Sequence, residues 1–155
     1  MTPTAFRHTH RVTYADCTLG NHVFYARYLS LLEAARNEFF RHLGQPLLEL
    51  QNQGTLFPVV ECHVHYKAPA RYDDVLQIEV WPTLAERVRL NFAYRICNQN
   101  GWLVLEAETC HACASLSDKP KRLPADLRAK LATFLRPPAA EPAASASCAT
   151  AAGAP

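Results

Sequence analysis

The chain lacks any run of 18 apolar residues, which excludes a membrane-spanning helix. Its start, MTPTAFRHTHRV, lacks an apolar core, so no secretory leader is expected and the cytoplasm is the expected compartment. Charge of one sign is also missing. The formal net charge is +2, with both signs scattered along the chain, which argues against a nucleic-acid surface or a polybasic membrane patch. Six cysteines, at 17, 62, 97, 110, 113 and 148, read as reduced thiols without a leader. Cys110 and Cys113 form a CxxC, but the segment around them reads as strand. Residues three apart on a strand face opposite sides, so no metal is expected there. His8 with His10 and His63 with His65 share strand faces and read as surface pairs.

What the chain does hold is enough for one domain: 155 residues, 49% of them hydrophobic. Residues 5–14 alternate as a first strand. A polar turn and a long helix follow. Pro46 to Gln53 is expected to form a short helical turn stopped by Gly54. Four strand-like runs come next, at 57–66, 75–83, 88–98 and 102–116, spaced as an antiparallel meander. Pro124 opens a final helix with proline in its first turn. From residue 137 to 155 the chain is rich in Ala, Pro and Ser and poor in bulky apolar groups, so a disordered tail is expected after a domain spanning 1–136. One long helix with about five strands implies an α+β fold, a sheet wrapped over the helix.

The most telling block is Tyr14 to Gly44, YADCTLGNHVFYARYLSLLEAARNEFFRHLG. At about 100° per residue, Tyr28, Leu31, Leu32, Ala35, Phe39 and Leu43 share one arc of its helix, with Ser30, Asn37 and Arg41 opposite. Arg36 falls inside the apolar arc. A guanidinium facing a core requires a partner or a ligand, because stranding it costs several kcal/mol. Glu33, one turn back, is the local candidate for that partner.

This block resembles the signature of the hotdog-fold acyl-CoA thioesterases, in particular the 4-hydroxybenzoyl-CoA thioesterase-like family. The matching residues are Tyr14, Asp16, His22, Val23, Tyr28, Glu33 and Arg36. HYKAPARYDDVLQIEV, from His65 to Val80, is similar to a second passage of that family, and KPKRLPADL, from Lys119 to Leu127, to a third. The resemblance runs over residues 6–136. It implies a hotdog fold, a homodimer or homotetramer with joined sheets, and hydrolysis of an acyl or aroyl thioester without metal or cofactor. The thioester is carried by CoA or by an acyl-carrier protein. A third reading is a hotdog protein that binds acyl thioesters without cleaving them.

Thioester hydrolysis requires an activated water or nucleophile and donors for the developing oxyanion. The resemblance implies that backbone N–H groups at Val23, Phe24 and Tyr25, where the helix is expected to begin, are the donors. The family's usual catalytic carboxylate falls at Thr18, so the chain departs from the pattern there. The usual glycine before His22 is Asn21, with Gly20 one residue earlier. Asp16, Thr18 and His22 are therefore rival candidates for activating water. Asp16 reads equally as a turn carboxylate, Thr18 as a turn hydroxyl, and His22 as a structural turn residue. Tyr25 and Arg36 are further catalytic candidates. Tyr28, Phe24 and Glu33 are expected to border the pocket. Lys67, Arg71, Arg87 and Arg89 are candidate partners for CoA phosphates, each reading singly as a surface charge.

Overall fold

The computed structural model describes residues 4–139. The elements, in chain order, are β1 (Phe6–Arg11), a 3-10 turn (Tyr14–Asp16), β2 (Cys17–Thr18), β3 (His22–Val23), α1 (Arg27–His42), α2 (Leu47–Asn52), β4 (Val59–Tyr66), β5 (Val75–Glu86), β6 (Arg89–Cys97), β7 (Leu103–Ala112) and α3 (Ala125–Ala132). Five strands form one antiparallel sheet in the order β1-β5-β6-β7-β4. β2 and β3 form a separate two-stranded ribbon. This is the sheet-over-helix arrangement that the pattern implies and the hotdog resemblance names.

The core follows from two periodicities. On α1 the predicted arc is buried, Tyr28, Leu31, Leu32, Ala35 and Phe39, joined by Phe40. On the strands alternate residues face the helix: Leu76, Ile78 and Val80 of β5, Leu90, Phe92, Tyr94 and Ile96 of β6, Leu105, Ala107, Thr109 and His111 of β7. Phe39 is fully buried, its ring against those of Phe6, Phe92 and Phe134.

The four later strands are not one meander. β5, β6 and β7 are consecutive, but β4 pairs with β7, with Val64 opposite Ala107. Adjacency of successive strands is a tendency that a long connection can break. Here the stretch between β4 and β5 is held elsewhere: Val12 N–H donates to Asp74 O at 2.8 Å and Asp73 N–H to Val12 O at 3.0 Å. Two ends also differ from expectation. The run to residue 116 stops pairing at Ala112, after which Ala114 makes single bridges to Leu56 and Pro120. Pro124 sits at the N-cap of α3 with φ −54°, just outside the helix rather than in its first turn.

Cys17, Cys62, Cys110 and Cys113 are free thiols. Among the described residues no helix is long and apolar enough to cross a membrane. The boundary expected at 136 falls inside a contact: Trp81 Nε1 donates to Pro137 O at 3.2 Å, and the Arg136 guanidinium lies 3.9 Å from the Trp81 ring centre. The remainder of the expected tail, from residue 140, lies outside the described residues.

Phe39→Ala should cost about 3–5 kcal/mol, the range for a fully buried aromatic whose cavity cannot collapse. Urea unfolding measures it, and a loss below about 1 kcal/mol would mean that α1 is not packed on the sheet as described.

Candidate functional site

Asp16 organises the turn before α1. It is fully buried, and its carboxylate accepts from the Thr13 backbone N–H (2.8 Å), the Thr13 hydroxyl (3.1 Å) and Arg27 Nε (2.6 Å), with His10 Nε2 at 2.8 Å. Burial pushes this carboxyl up, but the Thr13, His10 and Arg27 hydrogen bonds outweigh it and hold it well below the ordinary carboxylate range. Such a group is a poor proton acceptor near neutral pH and has no open approach for a water.

The ribbon β2–β3 turns at Gly20 (φ +79°) and Asn21 (φ +57°). Both are left-handed conformations, which glycine and asparagine adopt at least cost. The displaced glycine therefore still serves the turn. Asn21 Oδ1 accepts the Tyr72 N–H at 3.0 Å, and Arg71 Nη1 donates to Gly20 O at 3.4 Å, so both side chains pin the ribbon to the connection after β4. Thr18 is paired with His22 across the ribbon. Directly paired residues share a face, so hydroxyl and imidazole lie side by side, and both are exposed.

Two of the three expected oxyanion donors are already engaged. Val23 N–H donates to Ala70 O at 2.9 Å and Phe24 N–H to Asp16 O at 2.8 Å. The reason is that α1 begins at Arg27, later than the sequence suggests, and Val23 belongs to β3. Among the described residues the N–H groups of Tyr25 and Ala26 have no backbone acceptor, and no side chain caps this end of the helix. Of the expected donors Tyr25 stays open, and Ala26, one residue further on, joins it.

These donors adjoin an open cleft of about 360 Å³ lined by His22, Val23, Tyr25, Tyr28, Tyr66 and Lys67, with Ala68 and Pro69. Tyr66 fixes its wall by donating from its hydroxyl to Tyr25 O at 2.9 Å. Tyr28 is buried, and its hydroxyl accepts the Ala70 N–H at 3.3 Å. Phe24 is 45% exposed, its ring edge-on to Tyr25.

Other candidates fall elsewhere. Glu33 is exposed and makes no ion pair with Arg36; on the helix surface it faces water. Arg36 Nη1 instead donates to the Tyr94 hydroxyl at 2.9 Å, beneath the helix. Arg87 lies beside Arg122 and Arg128 around a small pocket, and Arg89 lines a different one with Cys110. Both are at the far end of β5 from the cleft, so Lys67 and Arg71 do not form one patch with them.

Sequence reasoning missed His10, Arg27, Tyr66, Tyr94, Thr109 and His111. Thr109 and His111 had a signal, because they continue the inward register of Leu105 and Ala107. The Tyr94 hydroxyl is 2.9 Å from Thr109 Oγ1, Thr109 Oγ1 is 2.8 Å from His111 Nε2, and His111 Nδ1 is 3.0 Å from Phe57 O. Burial, then the Arg36 charge, lowers the His111 imidazole to about 4, although the Phe57 carbonyl works against them.

The sequence model of the thioesterase-like superfamily matches residues 12–131. The acyl-CoA thioester hydrolase YbgC of Escherichia coli O157:H7 is 37% identical over 131 residues, covering 84% of this chain and 98% of that protein. The 1,4-dihydroxy-2-naphthoyl-CoA hydrolase of Thermosynechococcus vestitus is 28% identical over 135 residues, 83% of this chain and 92% of that protein. Among solved structures, the hypothetical protein TT1821 from Thermus thermophilus superposes with a TM-score of 0.77 at 30% identity, covering 83% of this chain and 98% of that one.

His111 is neutral in the fold at pH 7 and ordinary when unfolded, near 6.5. The unfolded chain thus binds more protons below that value. Stability linked to His111 is complete above about pH 6.5 and declines towards pH 4, by roughly 3 kcal/mol in all. Asp16, lowered in the fold, adds a further loss below about pH 4. Urea midpoints between pH 7 and 4.5 should fall for the wild type and fall less for His111→Gln. Parallel curves would show that His111 is not held neutral.

Proposed function

The chain belongs to the thioesterase-like superfamily, and from that premise we propose that it hydrolyses an acyl- or aroyl-CoA thioester to a carboxylate and free CoA. The observation that carries the reading is the juxtaposition of the open N–H groups of Tyr25 and Ala26 with a cleft that also holds His22. A helix start carries a partial positive charge, so unpaired donors there suit an oxyanion.

The reaction follows with the residues in these roles. The thioester carbonyl oxygen sits at the Tyr25 and Ala26 N–H groups. A water is held between Thr18 and His22, which face the same side of the ribbon. As the water oxygen bonds to the carbonyl carbon, its proton passes to the His22 imidazole. The tetrahedral intermediate collapses by breaking the carbon–sulfur bond, and the proton on His22 passes to the departing thiolate. Asp16 positions this machinery. Its bonds to His10, Thr13 and Arg27 fix where the ribbon ends and the helix begins. Tyr28 and Tyr66 wall the cleft, and Lys67 on its lining is the nearest candidate for a CoA phosphate. The strand β5 spans up to roughly 36 Å, so Arg87 and Arg89 would meet a CoA only from a second copy.

Assembly is part of the reading. β4 is an edge strand, and Val59, Val60 and Tyr66 on it are 50%, 61% and 50% exposed. An unpaired apolar edge is an association surface unless covered. We assign it to a second copy of this chain, giving a homodimer with the partner beside the cleft at Tyr66; two dimers would pair in a tetramer.

Release of free CoA from a panel of short, long and aromatic acyl-CoAs, followed with a thiol reagent, tests the activity. His22→Ala should lower kcat by about a hundredfold or more, and Thr18→Ala by less. Asp16→Asn should lower thermal stability along with activity. Wild-type turnover in both His22→Ala and Thr18→Ala would remove these two from the chemistry. Light scattering at micromolar concentration should give a dimer mass or a multiple of it, and a strictly monomeric mass would overturn the β4 assignment.

A further inference from the structure

Arg36 lines a partly open cavity of about 150 Å³ bordered by α1, α2, the segment before β4 and strands β6 and β7. Phe40, Leu47, Leu56, Phe57 and Phe92 supply its apolar wall, and Gln51, Thr55 and His111 its polar one. Behind Arg36 runs a chain of hydrogen bonds whose direction is fixed at both ends. A guanidinium can only donate, so the Tyr94 oxygen accepts from Arg36. A carbonyl can only accept, so His111 Nδ1 donates to Phe57 O and its Nε2 is the acceptor. Thr109 therefore donates to His111 and accepts from Tyr94. Every hydroxyl in the chain gives one hydrogen bond and takes one. Each partner is neutral, so the chain orients Arg36 without cancelling its charge.

No carboxylate cancels it either. Among the described residues no Asp or Glu lies within ion-pair distance of Arg36. One of its five donors is used by Tyr94. The result is a part-buried cation with spare donors on the wall of a partly apolar cavity, where an anion would meet no competing carboxylate.

We propose that this cavity binds a carboxylate borne on a compact apolar body, with Arg36 as its anion partner. A cavity of about 150 Å³ accommodates a benzene-sized group, and the guanidinium fork matches a carboxylate in two parallel hydrogen bonds. Two sources supply that chemistry. One is a free carboxylic acid. The other is the terminal carboxylate of an acyl group whose thioester lies at the helix start, and this source rests on the thioesterase reading. Arg36 lies roughly 14 Å along the helix from its first residue, Arg27, so within one protomer such an acyl group would be long.

Calorimetric titration of the full chain with benzoate, and with benzamide as its neutral isostere, tests the site. Benzoate should bind saturably, and about 10–100-fold more tightly than benzamide. Arg36→Gln should abolish that preference. Leu47→Trp fills the cavity without touching the Arg36 chain and should weaken both ligands, so the test survives if Arg36→Gln fails to fold. Benzoate binding no tighter than benzamide, or unchanged in Leu47→Trp, overturns the proposal. The sources separate by kcat/KM for acyl-CoAs with and without a terminal carboxylate at equal length. A preference lost in Arg36→Gln identifies the acyl source, and benzoate binding without such a preference identifies the free acid. If no thioester releases CoA, the thioesterase reading fails while the benzoate titration still reads the site.

Discussion

A single buried carboxylate sets the geometry on which the site depends. Asp16 receives donors from three parts of the chain: His10 on β1, Thr13 in the turn, and Arg27 at the first residue of α1. Its own carbonyl takes the Phe24 N–H. Hydrogen bonds from the Thr13 backbone, His10 and Arg27 favour the ionised state strongly enough to overcome burial. The same bonds leave the carboxylate closed to water. Its place in the sequence motif and its role in the structure therefore diverge: the motif suggests chemistry, and the hydrogen bonds describe a clamp.

With the clamp in place, the donors at the helix start sort themselves. Phe24 and Val23 are taken up in holding the ribbon, and the next N–H groups, on Tyr25 and Ala26, are left without a backbone acceptor beside the cleft. The late start of α1 is thus as much a part of the site as any side chain.

Much of the fold was legible because it follows from periodicity. The buried arc of α1 is the one the 100° spacing marks, and the strands fall within a few residues of the expected runs. The error was in strand order, because the pattern within β4 and β5 carries no information on which strand each will pair with. At the site, the ribbon and helix start were legible as a block, but the choice among Asp16, Thr18 and His22 was not. Burial of Asp16 depends on His10 and Arg27, which no local pattern ties to it. Arg36 was legible as an anomaly on an apolar arc. Its partner was not Glu33 one turn away but Tyr94, which comes from the far part of the chain.

The sheet order also dictates the sequence of events during synthesis. Phe6 must wait for Val80, and Val64 for Ala107, before either edge strand has a ladder. A nascent chain that has emerged only as far as β4 holds α1 with its aromatic face uncovered and no sheet to lie on. Closure becomes available only when β7 leaves the ribosome, and such long-range pairing is slow and exposed to aggregation. For this chain the vulnerable interval in the cell comes before folding, in the time between translating the helix and translating the strand that completes its cover.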